Sequence, residues 1–162
     1  MSRRKLREHL FKMIFLFAFT KGEELDAQVQ LYLDGIEDLS AEDRIYLQTR
    51  FEKLTAEIPK IDAALNDTAK GWRTDRFGSC ELAILRLAVY EALYDESIPE
   101  SVAINEAVEL AKDFAGDESY RFINGILGRA SRIDWESTPQ QDGAAVSEAM
   151  HGASDVDEGT FS

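Results

Sequence analysis

The sequence contains few of the residues that enzymes and metal proteins use for chemistry. Its 162 residues include one cysteine, Cys80, and two histidines, His9 and His151, which lie near opposite ends. A single cysteine permits neither an internal disulfide nor a cysteine-based zinc site, and the histidines show no paired-ligand spacing. Neither of the common glycine-rich phosphate-binding motifs occurs. These absences predict a protein that is not an enzyme and that holds no metal or cofactor.

Long apolar runs are also missing. No stretch approaches the roughly 18 consecutive apolar residues that a membrane-spanning helix requires. Lys12 and Lys21 interrupt the apolar segment near the start of the chain. We therefore expect neither a membrane span nor a secretory signal. Together with the single cysteine, this pattern favours a cytoplasmic protein.

Acidic residues outnumber basic ones, but the two kinds are unevenly distributed. The chain carries 31 Asp and Glu against 18 Lys and Arg, a formal net charge of −13. Residues 1–12 are nevertheless basic, and this segment is called the basic arm below. It contains five basic residues and one acid: Arg3, Arg4, Lys5, Arg7, Lys12 and Glu8. On an acidic body, such an arm is where an anionic partner such as a nucleic acid would bind.

The end of the chain has the opposite charge. Residues 137–162 contain five acids and no lysine or arginine, and they are rich in Gly, Ala and Ser. Because this segment lacks hydrophobic periodicity, the sequence predicts a disordered acidic tail. A solubilising role for the tail is favoured over competition for the basic arm, and the second reading stays open.

Hydrophobic spacing in the rest of the chain predicts an all-α fold of about seven helices. Ser40 is expected to cap a helix whose buried face holds apolar residues at helical spacing: Ile45, Leu47, Phe51 and Leu54. From residue 82 to residue 94 only Arg86 and Glu91 interrupt an otherwise apolar segment. A helix that is apolar on all sides lies at the centre of a bundle. The two charges are separated by about 140° around the helix, so each needs a partner elsewhere.

Four segments together resemble the NusB family of bacterial transcription antitermination factors. They read RRKLRE at residues 3–8, AILRLAVYE at 83–91, VAINEAVELAK at 102–112 and FINGIL at 122–127. A turn with Trp72, Asp75 and Arg76 adds to the match. The resemblance implies two packed three-helix bundles within residues 1–136. It also implies a non-enzymatic factor that binds boxA-type RNA of ribosomal operon leaders with NusE, a small-subunit ribosomal protein, in the antitermination complex of RNA polymerase.

The resemblance also assigns roles to particular residues. The expected RNA-binding residues are Arg3, Arg4, Lys5, Arg7 and Arg86, although an internal salt bridge is equally compatible with Arg86. The expected contacts with the protein partner are Glu91, Asn105, Glu106 and Phe114, and a core role is favoured for Phe114. Many family members carry an acidic residue where this chain has Gly128.

Two other readings remain at this stage. One is a helical protein–protein adaptor without RNA binding. The other is an RNA-binding helper domain like that of certain ribosomal RNA cytosine methyltransferases, although the chain ends before a methyl-donor domain would begin. Whether the free protein forms a homodimer also stays open.

Overall fold

The computed structural model describes residues 1–68 and 78–130, and every regular element in these ranges is an α-helix. The seven helices are α1 (Arg3–Phe17), α2 (Gly22–Asp34), α3 (Ala41–Ala56), α4 (Ile58–Thr68), α5 (Ser79–Tyr94), α6 (Glu100–Phe114) and α7 (Asp117–Ala130). The predicted all-α fold is therefore confirmed. None of these helices has the length and apolar composition needed to cross a membrane.

The helices form two compact units, the first of which covers Met1–Glu57. Helix α1 packs against both α2 and α3 in this unit. Each helix contributes a stripe of buried apolar side chains: Leu10, Met13 and Ile14 from α1, Leu25, Val29 and Leu33 from α2, and Leu47, Phe51 and Leu54 from α3. As the sequence predicts, the Ser40 hydroxyl caps α3 by accepting a hydrogen bond from the Asp43 backbone N–H at 3.0 Å.

The prediction that Ile45 is buried is wrong, because its side chain is 67% exposed. The buried stripe of α3 follows Leu47, Phe51 and Leu54, which are spaced by four and three residues. Ile45 precedes Leu47 by two positions and so points about 200° away from it around the helix. Apolar character alone did not reveal which of the two opposite faces packs inward.

The second unit begins at Ile58 and contains α4 to α7. Helix α5 contacts α4, α6 and α7, and α6 also packs against α7. Every residue of α5 from Ala83 to Glu91 is buried, which confirms the prediction of a central helix. The start of α5 is joined to α7 by Glu81, whose carboxylate accepts hydrogen bonds from the Gly78 N–H at 2.9 Å and from the Ser119 hydroxyl.

Candidate nucleic-acid interface

The basic arm forms the beginning of a regular helix. Ser2 is the N-cap of α1, and its hydroxyl accepts a hydrogen bond from the Lys5 backbone N–H at 3.1 Å. The cap places Arg3, Arg4 and Lys5 in the first helical turn, where all three are exposed, and Arg7 follows one turn later. Because residues three and four positions apart are neighbours on a helix, the arm presents its cations as one surface.

This distribution of charge does not favour the stability of the helix. The N-terminus of a helix carries a partial positive charge, so each cation in the first turn costs about 0.3–1 kcal/mol. The first turn of α1 contains no acid, whereas the first turns of α2 and α3 each contain two. The stability of the helix therefore does not explain three cations in the first turn of α1, whereas binding of an anionic ligand there does.

A single acid balances part of the arm. The Glu8 carboxylate accepts a hydrogen bond from Lys5 Nζ at 2.9 Å and lies 3.8 Å from Lys12 Nζ. The hydrogen bond to Lys5 and the charge of Lys12 hold the pKa of Glu8 below its usual value, despite some opposing burial. Since Glu8 offsets only one of the five cationic charges, the arm stays strongly positive, and three of its five cations are arginines.

An apolar groove of about 520 Å³ adjoins the arm within the first unit. The residues that line it include Lys5, His9, Leu31, Tyr32, Ile36 and Glu37. This groove could not be predicted from the sequence, because one side comes from α1 and the other from the end of α2 and the residues after it. The only local signal was the four-residue spacing of Lys5 and His9, which puts both side chains on one face of α1.

A hydrogen bond between His9 and Tyr32 lies in this groove. His9 Nδ1 and Tyr32 Oη are 2.7 Å apart, and the two rings meet edge to face with centroids 5.8 Å apart. Burial lowers the pKa of His9, and the positive charges of Lys5 and Lys12 lower it further. Burial raises the pKa of Tyr32 to about 12, with a smaller contribution from Glu8. Both side chains are therefore neutral at pH 7.

Arg86 is not part of an exposed cationic surface. It lies in the second unit, is 8% exposed, and donates two parallel hydrogen bonds to Asp62 of α4. Its Nε is 2.9 Å from Oδ1, and its Nη2 is 2.8 Å from Oδ2. This bidentate geometry is the strongest arrangement of the pair. Of the two roles that the sequence left open for Arg86, the structure favours the internal salt bridge.

The residues expected to contact a protein partner differ in exposure. Glu91 is only 4% exposed, so its burial argues against the predicted contact. Asn105 is exposed and Glu106 is half-buried on α6. The prediction of a core role for Phe114 is wrong, because its side chain is 40% exposed. Phe114 is the last residue of α6. The Cys80 thiol, at the beginning of α5, donates a hydrogen bond to the Phe114 carbonyl at 3.6 Å, so this end of α6 lies beside the start of α5.

Other features of the sequence bear less on a site. Gly128 is exposed, and a side chain added there would meet no atom within 4 Å. The Cys80 thiol is half-buried, and burial followed by the charge of Glu81 raises its pKa, which does not suit a nucleophile. Within residues 1–68 and 78–130, no group of side chains could hold a metal ion. The turn with Trp72, Asp75 and Arg76, and the acidic tail at 137–162, lie outside the described residues.

Comparison with known proteins identifies the family. The model of the NusB family matches residues 4–132. The chain belongs to the NusB family. It is 44% identical over 129 residues to the "Transcription antitermination protein NusB" of Lachnoclostridium phytofermentans, covering 80% of this chain and 98% of that protein. The protein of the same name from Agathobacter rectalis is 40% identical with the same two coverages.

Solved structures agree with this assignment. The chain resembles T. maritima NusB with a TM-score of 0.71 and 29% identity, over 80% of this chain and 89% of that one. It also resembles a chain in the "Crystal Structure of a Plectonemic RNA Supercoil", with a TM-score of 0.66 and 25% identity, over 78% and 91% of the two chains. The protein is thus a NusB-type transcription antitermination protein, which is a regulatory rather than an enzymatic role.

Proposed function

We propose that this protein binds boxA-type single-stranded RNA from the leaders of ribosomal RNA operons. It does so in the cytoplasm, together with the ribosomal protein NusE, as part of the antitermination complex of RNA polymerase. The observation that carries the proposal is the cluster of exposed cations on the first turns of α1, at the end of the helix where cations are electrostatically unfavourable. Guanidinium groups pair with phosphate oxygens and stack on unpaired bases.

The overall charge of the protein makes this location important. A chain with a formal charge of −13 repels a polyanion at long range. Binding therefore has to come from a local surface in which the charge is reversed. Arg3, Arg4, Lys5 and Arg7 provide that surface, and Arg86, which is paired with Asp62, does not contribute to it.

For the protein partner we propose the exposed stripe of α6. Val102, Asn105 and Glu109 are all exposed and follow the three-and-four spacing of one helix face. Exposed Phe114 ends the same helix. Exposed aromatic and apolar side chains beside polar ones are the composition of a protein–protein contact. Glu106 lies at the edge of this stripe, and buried Glu91 is left out of it.

A titration of fluorescently labelled leader RNA containing boxA, with and without NusE, tests the proposal. A ternary complex tighter than either binary complex supports it. Reversal of Arg3, Arg4 and Arg7 to Glu should abolish RNA binding while the helical circular dichroism stays unchanged. Unaltered RNA affinity in this variant would favour the adaptor reading instead. Sedimentation of the free chain shows in the same samples whether it forms a homodimer.

A further inference from the structure

The groove beside the basic arm is continuous with the cationic surface. Lys5 belongs both to the arm and to the groove, and His9 lies four residues further along the same face of α1. The opposite side comes from the end of α2 and the residues after it, including Leu31, Tyr32 and Glu37. A strand whose phosphates contact the arm is therefore within reach of the groove.

The groove is lined mostly by apolar and aromatic side chains, and the charged residues Lys5 and Glu37 and the first residue of the chain, Met1, also contribute to it. The side chain of Leu31 is 67% exposed and lines the groove, so it offers apolar surface to an occupant. Tyr32 and His9 are hydrogen-bonded to each other and neutral at pH 7. These surfaces provide no positive charge for a phosphate, but they suit a flat, uncharged ring.

The charges at the edge of the groove also argue against a phosphate inside it. Two lining residues carry a cation, and each cation has an acidic partner: Lys5 Nζ lies 2.9 Å from Glu8, and the Met1 ammonium lies 3.1 Å from Asp43, so neither gives the groove a net positive charge. The exposed side chain of Glu37 lines the groove as well, and its carboxylate repels an anion. A carboxylate accepts hydrogen bonds readily from the exocyclic amino group of a base. The lining therefore matches a nucleobase that carries such a group.

We propose that this groove receives one unstacked nucleobase with an exocyclic amino group (adenine, cytosine or guanine) from the RNA strand whose phosphates the arm binds. The inference rests on the function proposed above. Tyr32 and Leu31 supply the apolar surfaces that cover the base, and Glu37 accepts a hydrogen bond from its amino group. An RNA base displayed in single-stranded form is commonly recognised by such a combination of stacking and edge contacts.

Abasic scanning of the leader RNA tests this inference. Each nucleotide of the labelled boxA RNA is replaced in turn by an abasic one, and binding is measured for the unaltered protein, Leu31→Ala and Ile45→Ala. Ile45 is the matched control because it is also 67% exposed but lies outside the groove. We expect one adenine, cytosine or guanine position at which loss of the base weakens binding at least about fivefold, the lower end of the range for one stacked base.

The dependence of that position on the groove is the decisive result. The Leu31→Ala variant should bind the full RNA more weakly than the unaltered protein does. In this variant, removal of the base at that position should weaken binding only slightly further. In Ile45→Ala the abasic effect should remain as in the unaltered protein. Replacement of the base by uracil should weaken binding to the unaltered protein, and Glu37→Ala should remove this difference.

The possible contrary results separate the two proposals. If no abasic effect depends on Leu31 while Arg3→Glu still weakens RNA binding, the groove has no base and the proposed function stands. If the Leu31-dependent position is a uracil, the role of Glu37 is refuted. If Leu31→Ala weakens binding of NusE but not of RNA, the groove is occupied by protein. If no RNA binds even with NusE present, the proposed function itself fails.

Discussion

Reversal of the charge of Arg3 should make the protein more stable and at the same time weaken its binding to RNA. Arg3 is the first residue of α1, is exposed, and lies at the positive end of the helix dipole. The change removes an unfavourable cation and introduces a favourable anion. Because each of these effects is worth about 0.3–1 kcal/mol at low ionic strength, Arg3→Glu should raise the free energy of unfolding by roughly 0.6–2 kcal/mol.

The effect on RNA binding has the opposite direction and a characteristic salt dependence. If Arg3 neutralises one phosphate, its loss should make the slope of log affinity against log salt less negative by about 0.7. Fluorescence anisotropy with the labelled leader RNA between 50 and 300 mM KCl measures this slope. Urea unfolding followed by circular dichroism measures the stability on the same preparations.

Lys53→Glu is the matched control for this experiment. Lys53 is an exposed lysine in the first unit, but it lies in the last turn of α3, where a cation is favourable. The substitution changes the net charge by the same amount and should lower the stability instead of raising it. Equal loss of RNA affinity in both variants would show that net charge, and not the arm, controls binding. A fall in stability on Arg3→Glu would show that the arm serves the fold.

Four further substitutions test the packing of the structure by urea unfolding. Arg86→Met leaves the Asp62 carboxylate without its bidentate partner and should lower the free energy of unfolding by about 3 kcal/mol. The control Glu109→Gln, in a half-exposed ion pair, should lower it by at most about 0.5 kcal/mol. Similar losses in the two variants would contradict the assigned role of Arg86. Glu81→Ala removes the carboxylate that caps α5 and accepts a hydrogen bond from α7, so the free energy of unfolding should fall by about 1–2 kcal/mol. A fall of less than about 0.5 kcal/mol would argue against this role. Burial lowers the pKa of His9 below 6.5, so when the pH falls the unfolded chain binds a proton at this histidine before the folded chain does. The contribution of His9 to stability is therefore present above pH 6.5 and is lost as the pH falls through the lowered pKa. In His9→Asn the fall in stability from pH 7.5 to pH 5.5 should be smaller than in the unaltered protein; an unchanged fall would refute this origin.

The helices could be predicted from the sequence because each depends on a local pattern. The apolar segment around Arg86 and Glu91 could only be a buried helix, and the cap at Ser40 follows from residues three positions apart. Partners of charged residues are a different problem. Asp62 lies 24 positions from Arg86, and only the packing of α4 against α5 brings them together.

The same distinction applies to the candidate site. The basic arm is contiguous in sequence, so its position and charge were apparent before the structure. The groove depends on contact between His9 and Tyr32, which are 23 positions apart. The exposure of Phe114 was also mispredicted. Phe114 continues the hydrophobic spacing of α6, but it is the last residue of that helix, beside the start of α5, and its side chain is exposed.

The two proposed surfaces lie on different units of the chain, and this separation has an experimental consequence. The arm and the groove belong to the first unit, and the α6 stripe with Asn105 belongs to the second. Each unit has its own buried helical faces, and Arg3 and Asn105 are both exposed, so substitution of either one leaves the buried faces of its own unit intact. Arg3→Glu should therefore leave the affinity for NusE alone unchanged, and Asn105→Arg should leave the affinity for RNA alone unchanged. Loss of the ternary complex in both variants would then come from two independent contacts, each necessary for assembly.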